Sequence, residues 1–198
     1  MSTSIWIVER LVPAFFKKRE LARLLRIVST AFDSEVPQTS GLSYSGLLTL
    51  FAEFTAAQVD NAMKRGENLD SIRSRMYRGA FEIGDRLRRQ WRITNRSRVM
   101  DMGRMMYKFL GIEFRGTPEG GIDITKCMFA GHYSPETCRI ISSLDEGVMA
   151  GLSGGGTLVF SQRITEGFES CKAKLLTKEN AREKGDRRGH RCWWCNGG

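Results

Sequence analysis

Apolar residues recur every three or four positions from the start of the chain to about Leu110, and from Gly111 onward that rhythm stops. A helix buries a stripe of period 3.6 and a strand buries a face of period 2, so a change of period partway along a chain limits it to few architectures. The first part should be a set of packed helices and the second a shorter group of mixed elements. Residues 4 to 32 place Ile7, Leu11, Phe15, Leu21, Leu24, Leu25 and Val28 at helical spacing, with Pro13 as a kink or restart. A second helix is expected from about Ser43 to Lys64, closed by Gly66. A third starts at Asn68 or Asp70 and runs through Met76, Ile83 and Leu87 to Trp91, toward Thr94. The fourth, Ser97 to Leu110, carries Met100, Met102, Met105 and Met106, whose flexible side chains suit them to filling a core.

Beyond Gly111 the signals are local. Gly111, Gly116, Pro118, Gly120 and Gly121 mark a turn-rich connection, and Ile122 to Thr125 is a short strand leading to Cys127. Ser134, Pro135 and Glu136 start a helix, with serine as cap, proline in the first turn and an acid near the positive end of the helix dipole. That helix should carry Cys138, Ile141, Leu144, Asp145, Val148 and Met149 and end among Gly151 and Gly154 to Gly156. Thr157 to Thr165 alternates, and Cys171 to Leu176 is a second strand, so the two form an antiparallel hairpin. The expected fold class is α+β, with a helical N-terminal half packed on a C-terminal helix and a small antiparallel sheet. Residues 1–110 are the helical region, residues 111–176 an α+β core completing one domain, and residues 177–198 a basic tail.

The 198 residues carry a net charge of +9, and its placement matters more than its size. Residues 64–104 hold twelve basic and five acidic side chains, whereas residues 105–176 hold seven and eight. Arginines on a solvated helix face need no ligand, and no zinc-finger, RNP or helix-turn-helix signature accompanies them, so nucleic acid is not the expected partner. The apolar run from Gly41 to Val59 is broken by Glu53 and by serines and threonines, so it is read as a buried helix with no transmembrane segment. No secretory pattern opens the chain, which suggests the cytoplasm and reduced thiols for the five cysteines. The long helices offer surfaces for a homo-oligomer. The terminal Cys192 and Cys195 have the spacing of half a metal knuckle, but no second half accompanies them.

Three of the cysteines and one of the two histidines fall between Lys126 and Leu175. On a helix starting near Pro135, Cys138 and Asp145 share one face two turns apart and can line one wall of a pocket. Cys127 and His132 lie in segments able to fold back toward that wall, and Cys171 opens a strand beside it. Two chemistries fit these residue types. Cys127, His132 and Cys138 can hold zinc or iron with an open position for an activated water, although their spacing matches no known finger. Alternatively, Cys138 or Cys127 acts as a thiolate, with His132 as base and Asp145 as its orienter or as a proton donor. The first-turn position of Cys138 favours a lowered thiol pKa. Arg163 and Cys171 are candidate substrate contacts.

The order Cys138, Asp145, Gly151, then Arg163, Ile164, Thr165, Glu166, Gly167 and Cys171, with Cys127 upstream, resembles the L-2-amino-thiazoline-4-carboxylate hydrolase family. It extends over roughly residues 122 to 176. The same order of helix, hairpin, glycine and cysteine is similar to the 4-vinyl reductase small-molecule-binding domain. The first resemblance implies a hydrolase of C–N bonds acting on a small cyclic or amidine-like amino-acid derivative, with Asp145 transferring protons and Arg163 binding the substrate carboxylate. The second implies a small-molecule-binding or sensor domain without catalysis.

Overall fold

In a computed structural model the residues described are 14–177; the expected helix before Ala14, Pro13 and the Cys192–Cys195 tail lie outside them. The fold is α+β. Four helices come first: α1 (Ala14–Ala31), α2 (Tyr44–Lys64), α3 (Leu69–Gln90) and α4 (Arg96–Phe109). Strands β1 (Ile112–Gly116) and β2 (Gly121–Cys127) follow, then a 3₁₀ turn (Met128–Gly131), helix α5 (Pro135–Ser153), β3 (Thr157–Gln162), a second 3₁₀ turn (Ile164–Glu166) and β4 (Cys171–Leu176).

Side-chain caps set where the helices begin. Ser43, Asn68, Asn95 and Ser134 each accept a hydrogen bond from the backbone N–H three residues on, at 3.0 to 3.1 Å, satisfying one of the donors a helix start leaves open. Gly154, at φ 71°, ends α5 in the left-handed conformation that suits glycine.

The four strands form one antiparallel sheet in the order β1-β2-β4-β3. Strand β1 falls within the expected turn-rich connection. Its local signal is weak because glycines crowd its ends, and its pairing with β2, Ile112 opposite Cys127 and Gly116 opposite Ile122, is what makes it a strand. The β1–β2 turn needs Gly120, at φ 91°, because a Cβ there would meet the Leu175 carbonyl oxygen at 2.4 Å. Strand β3 is shorter than its alternation suggested: it stops at Gln162, and Ile164 to Glu166 turn as a 3₁₀ helix. One face of the sheet buries Ile122, Ile124, Cys171, Ala173 and Leu175, which join a single apolar core with Leu25, Phe51, Met76 and Met149 from the helices.

Helix α5 is central to that core and packs against α2, α3, α4 and β3. Its contact with α3 is set by glycines on both helices. A Cβ on Gly147 would stand 2.3 Å from the Tyr77 carbonyl oxygen, one on Gly151 2.3 Å from that of Phe81, and one on Gly84 2.2 Å from that of Val148. Those obstacles are backbone, so no side-chain rotation relieves them. Arg73 on α3 spans the same contact, donating to the Arg139 carbonyl at 2.6 Å and pairing with Glu146 at 3.1 Å. Other arginines of the basic helix α3 are also used within the protein: Arg75 pairs with Asp33 at 2.7 Å and Arg86 with Glu20 at 3.2 Å. No described helix is long and apolar enough to cross a membrane.

An alanine in a helix is favoured over glycine by about 1 kcal/mol, so Gly147→Ala would stabilise the protein if the contact were ordinary. We expect instead a loss of about 1–3 kcal/mol from forced separation of the two backbones, read as a lower denaturant midpoint at unchanged slope.

Candidate functional site

A cavity of about 120 Å³ lies between the helices and the sheet, and Cys127, Cys138, Asp145, Arg163 and Cys171 all line it. They arrive from different elements. Cys138, Ile141, Ser142, Asp145 and Val148 follow the three-and-four spacing along one face of α5, opposite the glycines that hold α3. Cys127 ends β2, Cys171 begins β4, and Arg163 lies between β3 and the second 3₁₀ turn. Phe51, Phe129 and Tyr133 form an aromatic wall: Phe129 meets Phe51 edge-on with ring centroids at 5.8 Å and stacks on Tyr133 at 5.6 Å. The Tyr133 hydroxyl is 2.6 Å from that of Thr55, whose own contacts are the Phe51 and Ala52 carbonyls at 2.8 and 3.0 Å. Thr55 has one proton and gives it to those carbonyls, so Tyr133 donates.

Asp145 accepts a hydrogen bond of 2.8 Å from the Tyr107 hydroxyl on α4. Burial lifts its carboxyl from 3.8 to about 6, against the opposing pull of that hydrogen bond. Tyr107 stacks on Phe114 at 4.9 Å and is itself held well above its ordinary pKa, by burial first and then by the adjacent carboxylate. An acid poised near neutrality in an apolar cavity is suited to giving and taking protons.

Arg163 is only 8% exposed, with its guanidinium carbon 4.1 Å above the Phe160 ring. Its Nε is 4.0 Å from Glu166, and its Nη1 is buried with no hydrogen-bond partner. A buried guanidinium donor without a partner is costly, and an anionic group supplied by a ligand would satisfy it. The Arg163 side chain is therefore part of the cavity and not of a solvated strand edge.

The thiols differ from the expectation. Burial pushes Cys127 up to about 12 and raises Cys138 and Cys171, with Thr165 and Arg163 pulling only partly against it at Cys138. The helix N-terminus does not offset this desolvation, so Cys138 is a neutral thiol near pH 7. Cys171 instead receives the backbone N–H of Ile164 at 3.3 Å. His132 is exposed in the loop before α5, its backbone N–H bonded to the Phe129 carbonyl, and it does not line the cavity. Among the described residues no three His, Cys, Asp or Glu side chains converge to hold a metal ion, so the expected zinc or iron set of Cys127, His132 and Cys138 is not assembled. The reason is local: the 3₁₀ turn carries the chain from Cys127 past the cavity rim and leaves His132 on the outside.

Tyr107 and Tyr133 also line the cavity, and neither helical spacing nor charge singles them out; a tyrosine at an apolar position needs a hydroxyl partner, and that is the signal the sequence offers.

No protein-family model matches the chain, and no curated protein matches its sequence. Among solved structures the chain is similar to a trafficking protein particle complex subunit 3 from Naegleria fowleri, covalently bound to palmitic acid, with 14% identity and a TM-score of 0.43. The match covers 66% of this chain and 95% of that one.

The raised Asp145 pKa has a defined sign in stability. Between 3.8 and about 6 the folded state binds more protons than the unfolded chain, so this group's contribution to stability falls as pH rises through that window and stays low above it. Asp145→Asn removes the dependence and still accepts from Tyr107. Its stability relative to wild type should increase by about 2–3 kcal/mol from pH 4 to pH 7, measured by urea unfolding across that range.

Proposed function

We propose that this chain is a small-molecule hydrolase acting on a C–N bond of a small cyclic or amidine-like amino-acid derivative, similar to the L-2-amino-thiazoline-4-carboxylate hydrolases. The observation that carries the reading is the convergence on one apolar cavity of an acid titrating near neutrality, Asp145, and a buried guanidinium with an unused donor, Arg163. Arg163 pairs with the substrate carboxylate. Asp145 takes a proton from water as the water oxygen bonds to the amidine carbon, and passes it to the ring nitrogen. When the tetrahedral carbon forms its C=O bond and the C–N bond breaks, Asp145 relays the second water proton to the departing nitrogen. One water is consumed and no oxidant is required. Tyr107 is a positioning residue that holds the carboxylate toward the cavity. The neutral thiols serve as a polarizable wall suited to a sulfur-containing ring.

The largely apolar wall and the neutral thiols favour a second reading, a small-molecule-binding or sensor module of the 4-vinyl reductase type. Both are tested by incubating the protein with L-2-amino-thiazoline-4-carboxylate and following the gain of one water by mass spectrometry. For the hydrolase, Asp145→Asn should lower kcat about 100-fold or more, Arg163→Met should mainly raise KM, and Cys138→Ser should keep turnover. Stoichiometric binding without turnover, lost in Arg163→Met, would leave the binding module. Neither binding nor turnover in folded protein would end both readings.

A further inference from the structure

Thr165 lines the inner cavity, and neither proposed reading gives it a task. Of the buried side-chain polar atoms that lack a hydrogen-bond partner among the described residues, only Arg163 Nη1 and Thr165 Oγ1 belong to residues lining that cavity. A buried hydroxyl or guanidinium donor is costly without a partner. Two such atoms, two residues apart in one turn, call for a single ligand group that serves both.

The turn that carries them is fixed by its own hydrogen bonds. The backbone N–H of Ile164, between the two residues, donates to Cys171 Sγ at 3.3 Å, and those of Glu166 and Gly167 donate to the carbonyls of Arg163 and Ile164, each at 3.0 Å. The Glu166 carboxylate is turned to Arg139, at 2.8 and 2.9 Å, and stands 4.0 Å from Arg163 Nε. The charge of Arg163 is thus only partly met from within the protein. The Thr165 hydroxyl stands near enough to Cys138 to favour its thiolate, but beside the neutral thiol it makes no hydrogen bond. A carboxylate has two acceptor oxygens, which a guanidinium N–H and a hydroxyl O–H match one to one. The wall of Phe51, Phe129 and Tyr133 suits a planar, apolar body behind that carboxylate.

We infer that Arg163 and Thr165 form a two-donor clamp for the carboxylate of a small planar ligand, with Arg163 Nη1 on one oxygen and Thr165 Oγ1 on the other, and that Thr165 is a specificity-determining residue. The inference takes the inner cavity as the ligand site, as proposed above, and does not depend on turnover. The unfilled clamp destabilises the free protein, and a carboxylate relieves that penalty when it binds.

Binding is measured by isothermal titration calorimetry at pH 7 on folded full-length protein. The probes are 2-aminothiazole-4-carboxylate, whose aromatic ring resists hydrolysis, 2-aminothiazole, which lacks the carboxylate, and benzoate, which keeps a carboxylate on a different ring. Wild type should bind both carboxylates. Thr165→Val should weaken each about tenfold and 2-aminothiazole by less than about twofold, and Thr165→Ser should restore most of the loss. Arg163→Met should weaken both carboxylates about 100-fold. Cys138→Ala should leave the preference for 2-aminothiazole-4-carboxylate over 2-aminothiazole unchanged. Because valine removes an unpartnered hydroxyl, Thr165→Val should also raise the urea midpoint of the ligand-free protein. Equal losses for 2-aminothiazole and its carboxylate, a preference abolished by Cys138→Ala, or a lowered midpoint in Thr165→Val would each overturn the clamp, as would a wild type that binds neither carboxylate. Binding of benzoate alone, with the same response to Thr165→Val, would end the thiazoline hydrolase reading and leave the clamp standing.

Discussion

Helix α5 can lie where it does because Gly84, Gly147 and Gly151 let its backbone touch that of α3, and the rest of the site depends on this approach. With carbonyl oxygens 2.2 to 2.3 Å from where a Cβ would stand, no other residue fits without moving a whole helix. Close packing on one face of α5 leaves the opposite face, with Cys138, Ile141, Asp145 and Val148, directed at the cavity. The Arg73 contacts to Arg139 and Glu146 reinforce that placement. A rigid helix is a good carrier for functional groups, since their spacing is then set by its 1.5 Å rise per residue rather than by a loop.

The same burial that stabilises the core sets the chemistry of the site. In an apolar space the charged form of every acid is disfavoured, and the outcome depends on what else touches each group. Asp145 has the Tyr107 hydroxyl and moves only to about 6, within reach of neutral pH. Cys127 has weaker compensation and moves up to about 12, out of use as a thiolate. One environment therefore separates the candidate groups into an acid that titrates near neutral pH and neutral thiols along the wall. Arg163 is the counterpart, a permanent cation stacked on Phe160 with a donor left for an anion.

Much of the fold was legible because it is local. Ser134 announced a helix start by chemistry confined to one turn, Asn68 or Asp70 announced another, and the Gly154 region announced an end. Strand β1 was not legible, because its evidence is a register with β2 and its own residues lie among glycines that signal turns. Within the site, Cys138 and Asp145 could be paired from helical spacing alone, and Cys127, Arg163 and Cys171 are side chains of the right chemistry that the sheet brings to the same cavity. His132 lies outside the cavity because its neighbours in sequence are not its neighbours in space.

The sequence by itself determined the helices, the Ser134 cap, the α5 stripe and the inventory of reactive side chains, since these depend on period and on contacts within a few residues. Tertiary structure alone decided which of those side chains share a cavity, that Tyr107 meets Asp145 and that Arg163 keeps an unused donor. It also decided the direction in which the thiols shift. Sequence placed Cys138 near a helix N-terminus, whose field falls off within a turn, whereas the desolvation that outweighs it comes from residues far along the chain.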